Sequence, residues 1–91
     1  MSIPYQERLN LYEITQETIG FMMALRTEAI SDEEQKPAPD AAKIAQWRNE
    51  FRRYRDEQHD LRLDDDAAIQ RVLDEYCPIV KADYERRSTA A

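Results

Sequence analysis

The N-terminal third of the chain carries apolar side chains on two sides of one helical pattern. With successive residues about 100° apart around a helix, one stripe consists of Tyr5, Leu9, Tyr12, Ile19, Met23 and Ile30. A second stripe, on the other side, consists of Leu11, Ile14, Phe21, Met22, Leu25 and Ala29. The pattern predicts a first helix over about residues 4–30. Because a surface helix of a small monomer needs only one apolar stripe, the second stripe predicts contact with another chain.

Gly20 is the weak point of this first helix. A glycine in a helix interior costs about 1 kcal/mol relative to alanine. A break near Thr15 or Gly20 is therefore the main alternative to one continuous helix, and it would change the relation between the two stripes. We expect the continuous helix, with Ser2 as its N-cap and Pro4 in its first turn, where the missing N–H is tolerated.

A linker and a second helix follow. Residues 31–39 read SDEEQKPAP, an acidic and apolar-poor segment whose two prolines predict an exposed, mobile linker. Asp40 then stands as the N-cap of a second helix over about residues 41–61. The apolar residues of this helix follow the spacing of a single helix face, and they are Ile44, Trp47, Phe51, Tyr54 and Leu61.

Three consecutive aspartates mark the start of a third helix. Asp64, Asp65 and Asp66 suit the positive N-terminal end of a helix dipole, and the helix is predicted over about residues 65–86. Its apolar stripe consists of Ile69, Val72, Leu73, Tyr76, Ile79, Val80 and Tyr84. Pro78 projects away from this stripe, so we expect a kink there that curls the helix around its core. The last four residues, Ser-Thr-Ala-Ala, are expected to fray.

The composition favours an all-α fold. The chain has one glycine in 91 residues, whereas β-hairpins rely on glycine-containing turns. Residues 1–91 are enough for a single domain. We therefore predict a three-helix antiparallel bundle that dimerises through the second stripe of its first helix. The predicted interface residues are Leu11, Ile14, Phe21, Met22 and Leu25.

The net charge limits the classes of binding partner, and the single cysteine bears on the redox compartment. A formal net charge of -6 opposes general binding to nucleic acid or to a membrane surface. No secretory signal is visible at the N-terminus, and no stretch approaches the roughly 18 apolar residues of a membrane span. Cys77 has no second cysteine to pair with, so we expect a reducing, cytoplasmic setting. Cys77 lies at the edge of the apolar stripe of the third helix, so we expect it to behave as a small hydrophobic residue that is buried or half-buried.

The second helix holds the only basic concentration. Residues 41–63 contain 6 basic and 4 acidic side chains, between flanks of net charge -5 and -3. A stripe beside the aromatic face consists of Arg48, Arg52, Arg55 and Arg62. One interpretation is a partner-binding ridge, since arginine pairs bidentately with carboxylate or phosphate. The other is that these arginines pair with acids of the neighbouring helices while their stems cover apolar surface.

The remaining polar residues lack the arrangement that catalysis or metal binding needs. His59 is the only histidine, and a di-iron site in a bundle core needs a second one together with more inward-facing carboxylates. Helix capping explains the three aspartates without an ion. Nothing places a base beside Cys77, and one glycine cannot build a phosphate-binding loop. We expect no catalytic residue, no metal, no cofactor and no enzymatic activity.

The sequence therefore favours a homodimeric, non-enzymatic helical module for protein–protein interaction, which acts as a regulator or an adaptor. Two alternatives stay open. The chain is a nucleic-acid-associated regulator that uses its arginine-rich second helix, or it is an acidic inhibitor of a nucleic-acid-binding protein. An acidic protein partner is favoured over nucleic acid because the ridge arginines act against the charge of the whole molecule.

Overall fold

A computed structural model describes residues 4–89. It contains α1 (Tyr5–Glu34), α2 (Ala41–Asp60) and α3 (Asp66–Thr89), and within the described range there is no strand. The prediction of an all-α chain is confirmed. The expectations for Ser2 as a cap and for Ala90 and Ala91 as a frayed end fall outside the described residues.

The first helix is continuous through Gly20 and longer than the sequence pattern predicts. Pro4 is the residue before the helix rather than part of its first turn. At Gly20 the helix passes close to α2, where Gln16 and Gln58 each donate a side-chain hydrogen bond to the other's main-chain carbonyl, at 3.0 and 2.9 Å. A Cβ on Gly20 would lie 3.4 Å from Gln58 Nε2. The two stripes therefore belong to a single rigid element.

The predicted linker over residues 31–39 is corrected, because its first four residues belong to α1. Glu33 is only 5% exposed. Its carboxylate accepts hydrogen bonds from Lys36 Nζ at 2.9 Å and from the main-chain N–H of Asp40 at 3.0 Å. These bonds, led by that from Lys36, hold the pKa of Glu33 below its usual value. The acidic segment is thus anchored rather than free.

Side-chain caps begin the other two helices. Asp40 Oδ1 accepts a hydrogen bond from the N–H of Lys43 at 3.1 Å, as expected for the N-cap of α2. At α3, Asp65 Oδ1 accepts one from the N–H of Ala68 at 3.0 Å. The third helix then runs as one element through Pro78 to Thr89, beyond the predicted end at residue 86.

The core lies where α1 packs on both other helices. Its buried apolar side chains are Ile19, Met22, Tyr54, Leu61, Ile69, Val72 and Tyr76. The rings of Tyr54 and Tyr76 meet edge to face with centroids 5.5 Å apart. Ile19 and Met22 come from opposite stripes of α1, and both are 0% exposed. The second stripe therefore contributes to a core within the chain.

Pairs of side chains follow a consistent order along α1. Between α1 and α2 the polar pairs are Gln16–Gln58, Arg26–Glu50 and Glu34–Arg48. Between α1 and α3 the pairs are Arg8–Asp66, Phe21–Tyr84 and Glu28–Arg87. The Cα positions span 55 × 31 × 15 Å, so the helices form a thin layer. Each flank of α1 therefore borders a different helix.

Candidate interaction site

A groove between the C-terminal half of α1 and α2 gathers most of the predicted partner-binding arginines. We call it the arginine groove; it has a volume of about 390 Å³ and is lined by Thr27, Ile30, Ser31, Glu34, Arg48, Phe51, Arg52 and Arg55. The half-buried Ile30 and Phe51 supply apolar walls. Arg62 does not line the groove; it lies beyond the end of α2, 3.6 Å from Asp64. The arginine stripe of the sequence thus divides into a group of three and one separate residue.

The three groove arginines differ in their partners. Arg48 forms a 3.0 Å ion pair with Glu34 of α1, and both side chains are about half exposed. Arg55 pairs with its neighbour Asp56 at 3.3 Å. Arg52 donates a 2.9 Å hydrogen bond to the amide oxygen of Asn49, and no carboxylate of residues 4–89 lies within ion-pair distance of it. Arg52 therefore keeps donors available for an external acid.

A second groove lies between α1 and α3. We call it the aromatic groove; it has a volume of about 330 Å³ and is lined by Phe21, Ala24, Leu25, Glu28, Asp83, Tyr84 and Arg87. Phe21 and Tyr84 stack with ring centroids 5.8 Å apart and planes 19° apart. Tyr84 is nevertheless 63% exposed. The stack closes this side of α1 against α3.

The charges of the aromatic groove are paired with one another. Asp83 is 8% exposed and accepts hydrogen bonds from Arg86 at 2.6 Å and Arg87 at 2.7 Å. Arg87 also donates to Glu28 of α1 at 2.6 Å. Hydrogen bonds from Arg87 and then Arg86 hold the pKa of Asp83 below its usual value, and the bond to Asp83 raises the pKa of Arg87. This network ties α3 to α1.

Sequence reasoning missed Asp83, although a signal was present. The residue continues the buried stripe of α3 after Val72, Tyr76 and Val80 at helical spacing. Arginines follow it three and four residues later, within reach on a helix surface. An acid at a core position with two such arginines indicates a buried ion-pair network.

The predicted interface residues of the second stripe lie at different depths. Met22 is 0% exposed, while Leu11 and Leu25 are partly buried and pack against the core. Phe21 is half-buried in its stack with Tyr84. Ile14 is 49% exposed. Met22 therefore has no surface to offer a second chain in this fold, and the outward apolar surface centres on Ile14.

A polar cluster joins α2 to α3. Tyr76 donates a 3.0 Å hydrogen bond to Glu57 Oε2, and Arg71 lies 3.6 Å from Glu57 Oε1. Burial, followed by the contact with Glu57, raises the pKa of Tyr76 to about 12. The phenol thus stays protonated at neutral pH and serves as a hydrogen-bond donor between the helices.

The other chemically active side chains lie at the surface. His59 and Asp60 approach to 3.3 Å, and both are largely exposed. Cys77 is an exposed free thiol, which corrects the expectation that it is at least half-buried. In the part of the chain that the structure describes, no group of three or more His, Cys, Asp or Glu residues is placed to hold a metal ion.

No family model, curated protein or solved structure matches this chain. Among residues 4–89, no helix combines the length and apolar character needed to cross a membrane. The two grooves and their charges are the features from which a function can be inferred.

Proposed function

We propose that this chain is a non-enzymatic helical module for protein–protein interaction, and that the arginine groove binds an acidic amphipathic segment of a protein. The observation that carries the proposal is Arg52, which lines an apolar-walled groove without a carboxylate partner among the described residues. Arginine favours bidentate, charge-assisted hydrogen bonds to carboxylates. Ile30 and Phe51 offer apolar contact to the same ligand.

The spacing of the arginines suits a helical ligand. Arg48, Arg52 and Arg55 lie four and three residues apart on α2, which corresponds to about 10 Å along the helix axis. A helix that carries acids at a similar spacing beside an apolar residue matches both the charges and the walls of the groove. This is the mode in which amphipathic helices dock into grooves.

Nucleic acid is the less favoured ligand. Glu34 lines the same groove, and the formal net charge of the chain is -6, so a phosphate backbone would be repelled around the three arginines. The acidic-inhibitor alternative rests on the net charge and uses no particular groove. An acidic protein segment is repelled less than a phosphate backbone, because it places fewer negative charges on the surface around the three arginines.

We also propose that the helices form an antiparallel bundle in which each helix runs opposite to the one before it. The order of the pairs along α1 supports this, because later residues of α1 meet earlier residues of α2 and later residues of α3. We propose further that the chain forms a homodimer, in which the exposed side chain of Ile14 supplies apolar contact to the second copy. A cytoplasmic, reducing setting suits the exposed free thiol of Cys77.

A labelled synthetic peptide tests the groove. The probe is a fluorescein-labelled helical peptide with glutamates and leucines at helical spacing, and its binding is followed by fluorescence anisotropy at low salt. We expect Arg52→Glu to weaken binding about tenfold or more, a change of about 1.4 kcal/mol. The matched control Arg62→Glu makes the same charge change outside the groove and is expected to stay within about twofold.

Two results would contradict the proposed function. Equal weakening by Arg52→Glu and Arg62→Glu would mean that the peptide responds only to overall charge. Tighter binding to a labelled DNA duplex or RNA strand than to the peptide, at the same ionic strength, would favour the nucleic-acid alternative.

A further inference from the structure

We infer that the arginine groove is occupied by a second copy of this chain, which presents the outer side of the N-terminal half of its α1. The inference rests on the proposed function, in which the groove is the binding surface, and it names the ligand. The matching surface is the acidic patch, defined as Glu13, Ile14 and Glu17. All three side chains are exposed.

The acidic patch and the arginine groove are complementary in charge. No Lys, Arg or His of residues 4–89 lies within ion-pair distance of Glu13 or Glu17. Arg52 likewise has no carboxylate at that distance within the described range. Ile14 precedes Glu17 by three residues, so the two side chains are neighbours on the helix surface. Ile14 is 49% exposed, and the patch thus offers an apolar side chain beside one of its acids. The groove offers apolar walls beside its arginines.

One copy cannot bring its own patch into its own groove. Both surfaces lie on the continuous helix α1, the patch near residue 15 and the groove near residue 30. A helix rises about 1.5 Å per residue, so about 20 Å of rigid helix separates them. Any contact between the acids of the patch and the arginines of the groove therefore joins two molecules.

The outer side of α1 connects the two surfaces. Five exposed residues lie within about 80° of one another around the helix, and they are Glu13, Glu17, Ala24, Thr27 and Ser31. A two-fold axis near Ala24 would set the patch of each copy against the groove of the other, so that each contact is made twice. The small side chain of Ala24 leaves room for two α1 helices to approach at that point. Because the contacts are largely polar, we expect a weak dimer that dissociates as salt is added.

A charge-swap experiment on the full chain tests the inference by mass in solution. At low salt and about 1 mM protein, analytical ultracentrifugation should give the native chain twice its 10.8 kDa mass. Glu17→Arg and Arg52→Glu should each be monomeric at that concentration. Mixing the two variants in equal amounts should restore a dimer. In that mixed dimer the two substituted side chains face each other with reversed charges, while the native Glu17 of one molecule faces the native Arg52 of the other.

The controls carry the same charge changes elsewhere. Glu85→Arg and Arg62→Glu alter exposed residues outside both surfaces, and each should dimerise like the native chain. Circular dichroism should show native helicity for every variant, since all four side chains are exposed.

Several results would overturn the inference. A native chain that stays at 10.8 kDa, single variants that still dimerise, or a mixture that stays monomeric would each exclude the second copy as the ligand. If the acidic peptide still binds through Arg52 in that case, the proposed peptide-binding role of the groove stands and this inference falls; a native chain that stays monomeric removes the proposed homodimer as well. If the peptide also fails to bind, both fall.

Discussion

The arginine groove and the aromatic groove flank the same helix, yet their charges are arranged differently. In the aromatic groove, Arg87 is held between Asp83 and Glu28. In the arginine groove, Arg52 reaches only the amide oxygen of Asn49. An arginine that is fixed by two carboxylates within the fold has few N–H donors left for a ligand. An arginine without a carboxylate partner, beside apolar walls, keeps its donors available. The comparison teaches that the pairing of an arginine, rather than its presence, decides whether donors remain for a ligand, and the proposed binding role of the arginine groove rests on this difference at Arg52.

The largest effect on stability is expected in the core, at Met22, which lines neither groove. Because its side chain is 0% exposed in the core, Met22→Ala should lower the free energy of unfolding by about 2–5 kcal/mol. Ile14→Ala, on the same stripe but 49% exposed, is the control and should cost well under about 1 kcal/mol. Urea unfolding measures both. Equal losses at the two positions would mean that the second stripe is not divided between core and surface.

The next effect is the acid sensitivity of the aromatic groove. The pKa of Asp83 in the fold is lowered from its usual 3.8, so its ion pairs stabilise the fold above that pH, and the stabilisation is lost as the pH falls through the folded pKa. Asp83→Asn should therefore be less stable than the native chain at pH 7 and lose less stability between pH 7 and pH 3. Unfolding curves at the two pH values measure the difference. An unchanged loss in Asp83→Asn would mean that other carboxyl groups carry the acid sensitivity.

A smaller difference separates the two phenylalanines. Phe21 and Phe51 are both half-buried, but Phe21 stacks on Tyr84, with centroids 5.8 Å apart. An aromatic pair adds about 0.5–1.5 kcal/mol beyond area burial. Phe21→Ala should thus cost about 1 kcal/mol more than the matched Phe51→Ala, by chemical denaturation. The reverse order would remove the aromatic stack as the feature that closes α3 onto α1.

The smallest effect on stability is expected at Arg52. Its side chain is exposed and unpaired with any described acid, so Arg52→Ala should change the free energy of unfolding by less than about 0.5 kcal/mol. Arg87→Ala removes the link from Asp83 to Glu28 and should be the more destabilising substitution. Thermal unfolding of both variants at low salt ranks them. A destabilised Arg52→Ala would give that arginine a structural role.

Much of the fold follows from local patterns that the sequence displays. The spacing of apolar residues indicates three helices, and Asp40 marks the start of α2 through a hydrogen bond only three residues away. The end of α1 does not follow in this way. Glu33 belongs to an acidic run typical of a loop. Its contact with Lys36 is local, but its hydrogen bond from the main-chain N–H of Asp40 forms only once the chain turns back after α1.

The candidate site was predictable in part. The helical wheel aligns the arginines of α2, but the predicted stripe continues to Arg62, which lies past both the predicted helix end at about residue 61 and the observed end at Asp60. Helical spacing does not place a side chain beyond the end of a helix. It also shows two stripes on α1 without showing that α2 and α3 both pack on that helix. Met22 therefore resembles an interface residue in the sequence and lies in the core of the fold.

The most direct test of the difference between the grooves is an NMR titration of the arginine side chains. The acidic peptide is added to ¹⁵N-labelled Glu17→Arg protein, whose groove is empty if two copies pair as inferred, and the Nε–Hε signals are followed. We expect the signals of Arg48, Arg52 and Arg55 to shift with one common affinity while that of Arg87 stays in place, because Asp83 and Glu28 already hold it. A shift of the Arg87 signal with none at Arg52 would contradict the account.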